Sequence, residues 1–149
     1  MFEKEEVYLY SDGACKGNPG PGGYGTILVY KGKEREISGG ERLTTNNRME
    51  LSGAIAGLKA LKYPCRVVIV SDSKYLVDGM TKGWAKSWQA KGWRKSDGKP
   101  ALNPDLWEEL LSLCEKHEVR FSWIKGHAGH PYNERCDRLA VARAEEYAK

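Results

Sequence analysis

The alternation of apolar and polar residues predicts that the chain opens with three β-strands. Runs of strand-forming residues, bounded by turn-forming residues, place these strands at about 7–12, 24–30 and 34–40. Residues 31–33, Lys-Gly-Lys, are typical of a hairpin turn between the last two strands. Because no helical period separates the three segments, we expect them to form an antiparallel meander.

The rest of the chain alternates between helical and strand periods. Residues 66–72 contain a continuous apolar run, which is typical of a strand covered on both faces. Val119, Phe121 and Trp123 alternate with polar residues and predict a fifth strand. Helices are predicted at about 44–61, at about 74–80, from Pro104 onward and at about 133–147. The patterns indicate an α/β fold in which helices flank five strands.

The glycine-rich stretch at residues 20–25 matches G-x-G-x-x-G letter by letter. The dinucleotide-binding fingerprint requires those glycines between a strand and a helix, so that the pyrophosphate meets the helix N-terminus. Residues 26–30 are strand-like instead. We therefore expect no dinucleotide site, and we interpret the stretch as a glycine turn leading into the second strand.

Length and composition narrow the class of protein. The 149 residues suit a single domain spanning 1–149, and the longest purely apolar run, 67–70, is too short to cross a membrane. The acidic start of the chain is unlike a signal peptide. Its four cysteines form no C-x-x-C pair, so neither a zinc site nor a disulfide framework is indicated. We expect reduced thiols and a cytoplasmic protein.

Four acidic residues are placed where a carboxylate projects from a core element instead of into solvent. Asp12 and Asp72 end predicted strands, while Glu50 and Asp137 lie on the apolar faces of predicted helices. A lone buried carboxylate is costly, so each needs a partner. Two structural alternatives stay open, because Glu50 has capping-box spacing from Asn47 and Asp72 could cap the helix that follows it.

The type of ligand indicates which chemistry these acids would support. Several carboxylates without histidine or cysteine ligands suit hard cations such as Mg²⁺ or Mn²⁺. Two such ions about 4 Å apart can activate water and stabilise the leaving oxygen of a phosphodiester. The sequence has no Walker lysine and no G-x-S-x-G motif. Metal-dependent hydrolysis of a phosphodiester is therefore favoured.

Residues 81–100 differ from the rest of the chain in charge. They contain six Lys or Arg and one acid, Asp97, with Trp84, Trp88 and Trp93 interleaved. Cationic and aromatic side chains together can follow a phosphate backbone, so we predict a basic protrusion that binds nucleic acid. The alternative is that Trp84 and Trp88 pack a small helix onto the domain, and both interpretations can hold at once.

Among the three histidines, His127 has the setting best suited to proton transfer. It lies in a glycine-containing loop close to the helix that carries Asp137. A lone histidine is more often structural or solvated, and His117 has no comparable setting.

Four segments, taken in order, carry a family resemblance. They are YSDGACKGNPGPGGYG, TTNNRMEL, VSDSKY and WIKGHAGHPYNERCDRLA, and the match runs from about residue 8 to residue 142. These segments resemble the motifs of bacterial type 1 ribonuclease H in both order and spacing. The resemblance implies a ribonuclease H-like fold with a mixed sheet in the order 3-2-1-4-5, in which strands 1–3 are antiparallel and strands 1, 4 and 5 parallel. It also implies endonucleolytic hydrolysis of the RNA strand of RNA/DNA hybrids, leaving 5′-phosphate and 3′-hydroxyl ends.

The resemblance further implies roles for individual residues. The catalytic residues would be Asp12, Glu50, Asp72, His127 and Asp137. All but the histidine would be metal ligands, holding two Mg²⁺ ions with substrate, for which Mn²⁺ can substitute. The residues that bind the hybrid would be Asn18, Thr45, Asn46, Asn47, Lys74, Trp84, Lys86, Lys91, Arg94 and Lys95. The asparagines match positions in the minor groove, where the 2′-hydroxyl distinguishes RNA, and the threonine matches a pocket for a DNA phosphate. A monomer is implied.

Two positions depart from the family pattern. Many members carry an arginine two residues before the pocket threonine, where this chain has Leu43, with Arg42 one residue earlier. Lys74 stands where the familiar bacterial pattern has glutamine, so an amide contact to a base is replaced by a cation able to reach a phosphate.

Two other classes of protein share parts of the pattern. A non-catalytic module that binds hybrids would keep the basic protrusion and could lose a carboxylate, but all four acids are present. An integrase or resolvase nuclease shares the fold by resemblance, but the KGHAGH loop and the basic protrusion argue against it.

Overall fold

The structure is a computed structural model that describes residues 6–126 and 129–149. Within these residues the chain forms five strands and five helices. In chain order they are β1 (Glu6–Cys15), β2 (Gly20–Tyr30), β3 (Lys33–Thr44), α1 (Asn46–Lys59), β4 (Arg66–Ser71), α2 (Lys74–Thr81), α3 (Trp84–Ala90), α4 (Pro104–Glu115), β5 (Glu118–Trp123) and α5 (Pro131–Tyr147).

The strands form one mixed sheet in the order β3-β2-β1-β4-β5. Strands β1 to β3 pair antiparallel, whereas β4 pairs parallel with both β1 and β5. The predicted α/β fold and strand order are confirmed. Because β1 and β4 run parallel, the residues just beyond their last paired positions lie close together.

The end of β1 differs from the prediction. Asp12 does not end the strand, since β1 continues to Cys15 by pairing with the glycine-rich part of β2. The pairing of β1 with β4 stops earlier, at Tyr10 opposite Val70. Asp12 therefore lies just past the point where β1 and β4 part, on a backbone still fixed by the antiparallel ladder.

The glycines of residues 20–25 lie inside β2, so the predicted glycine turn was wrong. A Cβ on Gly23 would lie 2.5 Å from the carbonyl oxygen of Ala140, and one on Gly25 would overlap the carbonyl oxygen of Cys136. Helix α5 packs so close to the sheet that no side chain fits between them. Close packing, and not a turn, is what requires glycine at these positions.

The main core lies between the sheet and helices α1 and α4. Its largest fully buried side chain is Trp107, and Leu9, Leu51, Ile69 and Leu110 pack with it. The opposite face of the sheet is covered by α5 through Cys136, Ala140 and Ala144. Val141, one position beyond this buried stripe, is exposed.

The basic segment is anchored through α3. Ala85 is fully buried, and the ring of Trp88 meets the edge of Trp107 at 6.0 Å between centroids. Trp84 remains exposed. The cations of this segment, Lys86, Lys91, Arg94 and Lys95, are all exposed. The packing interpretation therefore holds for Trp88, while the charged side chains stay available on the outside.

Two further expectations concern the cysteines and the membrane. Cys15, Cys114 and Cys136 are free thiols, and burial raises the pKa of Cys114 and of Cys136 to about 12. Across residues 6–126 and 129–149, no helix has the length and apolar content needed to span a membrane.

Candidate active site

Three carboxylates from three different elements meet at the edge where β1 and β4 part. Asp12 of β1, Glu50 of α1 and Asp72, which follows β4, each offer an oxygen within 4.8 Å of the other two. They line a cavity of about 350 Å³. Its other lining residues are Gly13, Asn46, Asn47, Ser73, Lys74, Tyr75 and Asp137. The structure thus brings three of the four predicted acids into one group.

Asp137 is in the wall of the same cavity but does not belong to the group of three. It is half-buried on α5, one residue after the buried Cys136. It is not among the carboxylates whose oxygens all lie within 4.8 Å of one another, although its negative charge contributes to raising the pKa of Asp12. The fourth predicted ligand is therefore near the cluster and is not part of its tight core.

Neither structural alternative for the acids holds. The cap of α1 is Thr45, whose hydroxyl oxygen accepts from the backbone N–H of Arg48 at 3.2 Å, and Asn47 lies inside the helix. The cap of α2 is Ser73, whose hydroxyl oxygen accepts from Leu76 N–H at 3.1 Å. Neither Glu50 nor Asp72 therefore caps a helix, and both line the cavity.

The backbone N–H of Gly13 is shared by two of the carboxylates. It donates to Asp12 Oδ1 at 2.9 Å and to Glu50 Oε1 at 2.5 Å. Glu50 Oε2 has no hydrogen-bond partner in the described part of the chain, although Glu50 is only 4 % exposed. One donor cannot satisfy two buried carboxylates, so this site has more acceptors than the protein itself can pair.

Burial and mutual repulsion perturb both acids. Burial, followed by the negative charges of Asp72 and Asp137, raises the pKa of Asp12 to about 7. Burial and the facing Asp12 carboxylate raise the pKa of Glu50 well above its ordinary value. Such shifts are typical of sites built to hold a charged group.

The donor set fits a hard divalent cation. The cluster consists of carboxylate oxygens, it includes a buried oxygen without a partner, and none of its members is paired with a Lys or Arg among residues 6–126 and 129–149. A cation would replace the missing partners and relieve the repulsion. Asp12, Glu50 and Asp72 are the residues that would hold it, with Asp137 in the wall of the same cavity.

The predicted asparagine and threonine contacts surround the start of α1. Asn46 and Asn47 line the cavity and are exposed. Asn18, in the loop between β1 and β2, accepts with its Oδ1 from the backbone N–H of Asn46 at 2.9 Å. Although Thr45 caps the helix through its oxygen, its hydroxyl hydrogen remains able to donate to an anion. These four residues therefore form one polar rim beside the carboxylates.

A second network behind this rim was missed by sequence reasoning. Arg48 forms a bidentate pair with Asp105, at 3.1 and 2.8 Å, and also donates to Asn103 Oδ1 at 3.2 Å. Asn103 Nδ2 and Trp107 Nε1 both donate to the hydroxyl oxygen of Tyr75, at 3.1 and 2.9 Å. The partners lie 28 to 57 residues apart in the chain. No local spacing could have indicated these contacts.

The three histidines lie in different segments, with His117 before β5 and both His127 and His130 between β5 and α5. His127 lies outside the described residues, so its predicted role stays a prediction. His117 is structural, since its Nδ1 accepts from the backbone N–H of Cys65 at 3.0 Å. His130 occupies the N-cap position of α5 without a side-chain capping bond.

Comparison with known proteins places the chain in a family. The family model for RNase H matches residues 4–145. The chain belongs to the ribonuclease H family. The protein is 60 % identical to the ribonuclease H of Desulforamulus reducens, over 95 % of this chain and 89 % of that one. It is 58 % identical to the ribonuclease HI of Synechocystis, over 91 % of this chain and 86 % of that one. The resemblance to bacterial type 1 ribonuclease H is therefore confirmed.

Solved structures agree with this family assignment. LC9-RNase H1, described as a type 1 RNase H with the type 2 active-site motif, superposes with a TM-score of 0.87 at 36 % identity, covering 99 % of this chain and 75 % of that one. LC11-RNase H1, solved in complex with RNA/DNA hybrid, shares the fold with a TM-score of 0.73 at 22 % identity, covering 96 % and 99 % of the two chains.

Proposed function

We propose that the protein is a metal-dependent ribonuclease H that hydrolyses the RNA strand of RNA/DNA hybrids and leaves 5′-phosphate and 3′-hydroxyl ends. The observation that carries the proposal is the group of three carboxylates within 4.8 Å of one another, in a chain of the ribonuclease H family. The carboxylate oxygens of this group, one of which lacks a hydrogen-bond partner among the described residues, are suited to binding cations. The polar rim beside the group offers amide and hydroxyl groups to a nucleic acid.

The metal is Mg²⁺ in this proposal, with two ions present when substrate is bound and Mn²⁺ able to substitute. Asp12, Glu50, Asp72 and Asp137 would hold the ions, whose chemistry is to generate a nucleophilic hydroxide and to stabilise the leaving oxygen. The shared Gly13 N–H orients Asp12 and Glu50 before any cation arrives. Their burial keeps bulk water away from the carboxylates, which strengthens their attraction for a cation.

Binding of the hybrid is assigned to two surfaces. Asn18, Asn46 and Asn47 would contact the minor groove beside the cavity, where the 2′-hydroxyl identifies RNA, and Thr45 would hold a phosphate of the DNA strand. Lys74 and the exposed cations of α3 and the following loop would contact phosphates, with Trp84 beside them. His127 would assist proton movement or product release. The loss of an arginine at Leu43, which is exposed, leaves the DNA strand one cation fewer.

Three further properties complete the proposal. We infer a single domain over residues 1–149, a monomer and a cytoplasmic location. Helices α1 to α4 share one set of buried residues with the sheet, and α5 packs against strands β1 to β3 on the other face, which supports one folding unit.

A cleavage assay tests the function directly. End-labelled RNA/DNA, RNA/RNA and DNA/DNA duplexes of one sequence are incubated with the protein in Mg²⁺ or in EDTA. We expect cleavage of the RNA strand of the hybrid alone, in Mg²⁺ alone, with products that a phosphatase can dephosphorylate at the 5′ end. Cleavage of RNA/RNA at a comparable rate, or activity in EDTA, would contradict the proposal. Asp12→Asn, purified in the same way, controls for contaminating nuclease.

A further inference from the structure

The end of β5 holds the backbone that carries Asp72. The indole N–H of Trp123 donates to the carbonyl oxygen of Asp72 at 3.0 Å, and the backbone N–H of Ile124 donates to the carbonyl oxygen of Ser71 at 3.0 Å. Beyond them, a Cβ on Gly126 would lie 2.7 Å from Asp72 Oδ2. The chain leaving β5 thus fixes the backbone of Asp72 and also passes against its carboxylate.

Asp72 depends on these contacts more than its two neighbours do. Asp12 is held by the ladder of β2, and Glu50 lies one turn inside α1. Asp72 lies in neither kind of element, since β4 ends at Ser71 and α2 begins at Lys74. Its carbonyl is outside the pairing of β4 with β5, which stops at Ser71 opposite Trp123. The hydrogen bond from the Trp123 indole therefore holds the backbone of Asp72 at the point where the pairing of β4 with β5 has ended.

The same indole ring also contacts the cation at the mouth of the cavity. Lys74 Nζ lies 5.0 Å from the centroid of the Trp123 ring, within the range of a cation–π interaction. Lys74 lines the cavity and is exposed, so its long side chain would otherwise sample many rotamers. Trp123 is itself 44 % exposed, so its ring is accessible to the ammonium group of Lys74. The ring limits where the ammonium group can lie.

We propose that Trp123 is a positioning residue with two separable parts: its N–H fixes the Asp72 backbone for cation binding, and its ring holds Lys74 at the cavity for contact with a substrate phosphate. The proposal rests on the proposed function and adds to it a residue that touches neither the cation nor the scissile bond. It also gives a structural reason for the lysine that replaces glutamine at position 74, because an amide would gain no cation–π contact from the ring.

The first experiment isolates the N–H with Trp123→Phe, which keeps an aromatic ring and removes the donor. Removing outer partners of metal ligands costs about 10- to 100-fold in affinity or activity. We expect about a tenfold higher Mg²⁺ concentration for half-maximal cleavage and the same increase in the Mg²⁺ dissociation constant, measured without substrate from the amide NMR shift of Gly13. KM for hybrid at saturating Mg²⁺ should stay within twofold. A Mg²⁺ dependence unchanged within twofold in both measurements would overturn this half of the proposal.

The second experiment isolates the ring by a double-mutant cycle. Lys74→Met is measured in the wild type, in Trp123→Phe and in Trp123→Leu, using the dissociation constant for hybrid in EDTA as a function of salt. In the first two backgrounds, we expect the Lys74 change to weaken binding roughly fivefold and to lower the salt slope by about one unit. In the Leu background, the same change should weaken binding less than twofold. Equal effects of Lys74→Met on hybrid binding in all three backgrounds would overturn the proposed role of the Trp123 ring.

Control measurements distinguish a positioning role of Trp123 from a role in folding. They also distinguish failure of this inference from failure of the proposed function. Tyr63→Leu removes an exposed aromatic ring that precedes β4, at the other end of that strand from Asp72, and should leave every measurement within twofold. A merely structural role for Trp123 would change the melting temperature and the hybrid affinity of the Phe variant together, while a positioning role changes its Mg²⁺ dependence alone. The NMR titration and the binding cycle need no turnover, so they remain decisive if the wild type fails to cleave hybrids.

Discussion

The carboxylate cluster and the basic protrusion use charge in opposite ways. The cluster crowds Asp12 and Glu50 where each is less than a tenth exposed, so that every added charge strongly affects its neighbours. The protrusion distributes exposed cations over residues 81–100, where salt screens each of them. The first arrangement is suited to chemistry, because chemistry depends on fixed distances in a low dielectric. The second is suited to affinity for a polyanion, because such affinity depends mainly on the number of charges.

We therefore expect the two regions to respond differently to substitution. A single substitution in the cluster removes a carboxylate that no neighbouring residue can replace, whereas a single substitution in the protrusion removes one weak electrostatic interaction among several. The predictions below use this contrast, and they are ordered from the largest expected effect to the smallest.

The largest effect is expected from Asp12→Asn. The amide keeps the shape of the side chain but removes a charge from the centre of the cluster, so kcat should fall at least ~10³-fold, about 4 kcal/mol of barrier. KM should change little, because the polar rim and the protrusion remain. Single-turnover cleavage of a labelled hybrid measures the rate. Activity within tenfold of wild type in nuclease-free protein would show that the cluster is not the catalytic centre.

A smaller loss is expected from His127→Ala. General acid–base assistance is worth roughly 10²–10⁴-fold, and a residue in a glycine-containing loop should supply the lower part of that range. We expect kcat to fall about 10²-fold while the hybrid dissociation constant stays the same. His117→Ala serves as the matched control for removal of an imidazole. If folded His127→Ala protein lost all activity, the histidine would be essential and the assisting role would be wrong.

The protrusion should respond in affinity alone. Replacing Lys86, Lys91, Arg94 and Lys95 by alanine should raise KM roughly tenfold at moderate salt and lower the salt slope by about one unit for each phosphate that is no longer neutralised. The value of kcat should stay within twofold. A charge-matched control replaces four exposed cations far from the cavity: Lys33, Arg35, Lys62 and Lys116. An unchanged salt slope in the first variant would mean that the protrusion points away from the duplex.

The smallest effect is one of stability, and its sign follows from the raised pKa values. Metal-free folded protein keeps its Asp12 proton up to about pH 7, whereas an unfolded aspartate loses it near pH 4. The native state thus binds more protons over this interval, so its free energy of unfolding falls as the pH rises from about 4 to about 7. Glu50 acts in the same direction.

Asp12→Asn removes a buried charge, together with its repulsion from the neighbouring carboxylates, and should stabilise the metal-free protein. In EDTA at pH 8 we expect it to melt a few degrees above wild type, a gain of about 2 kcal/mol. At pH 4 the two melting temperatures should converge, and millimolar Mg²⁺ at pH 8 should narrow the gap by binding the wild-type site. If the variant melts lower in EDTA at pH 8, the hydrogen bond from Gly13 outweighs the repulsion.

Much of the fold could be predicted from local pattern. Alternation in β1 to β3 and the apolar run of β4 indicated the strands, and the four motif segments supplied the strand order through a family resemblance. The glycines of β2 were misinterpreted because a glycine needed for close packing by α5 looks the same in sequence as one needed for a turn. The extent of β1 beyond Asp12 was missed for the same reason.

The site was predicted at the level of residue type but not of contacts. Placement on apolar elements singled out the acids, although only the fold shows that three of them meet while Asp137 lines the same cavity outside that group. The contacts of Tyr75 and Trp123 join residues far apart in the chain, and their spacing carries no signal. Such residues become visible only when the elements that carry them have been packed together.

The division between chemistry and affinity is tested most directly by a cycle of four proteins: wild type, Asp12→Asn, the variant with four alanines in the protrusion, and the combination of both. Single-turnover rates at saturating enzyme and hybrid dissociation constants in EDTA are measured for each. We predict that the cluster change lowers only the rate, that the protrusion change weakens only binding, and that the two effects combine without interaction. A protrusion variant that lowers the saturated rate as strongly as Asp12→Asn would contradict the account.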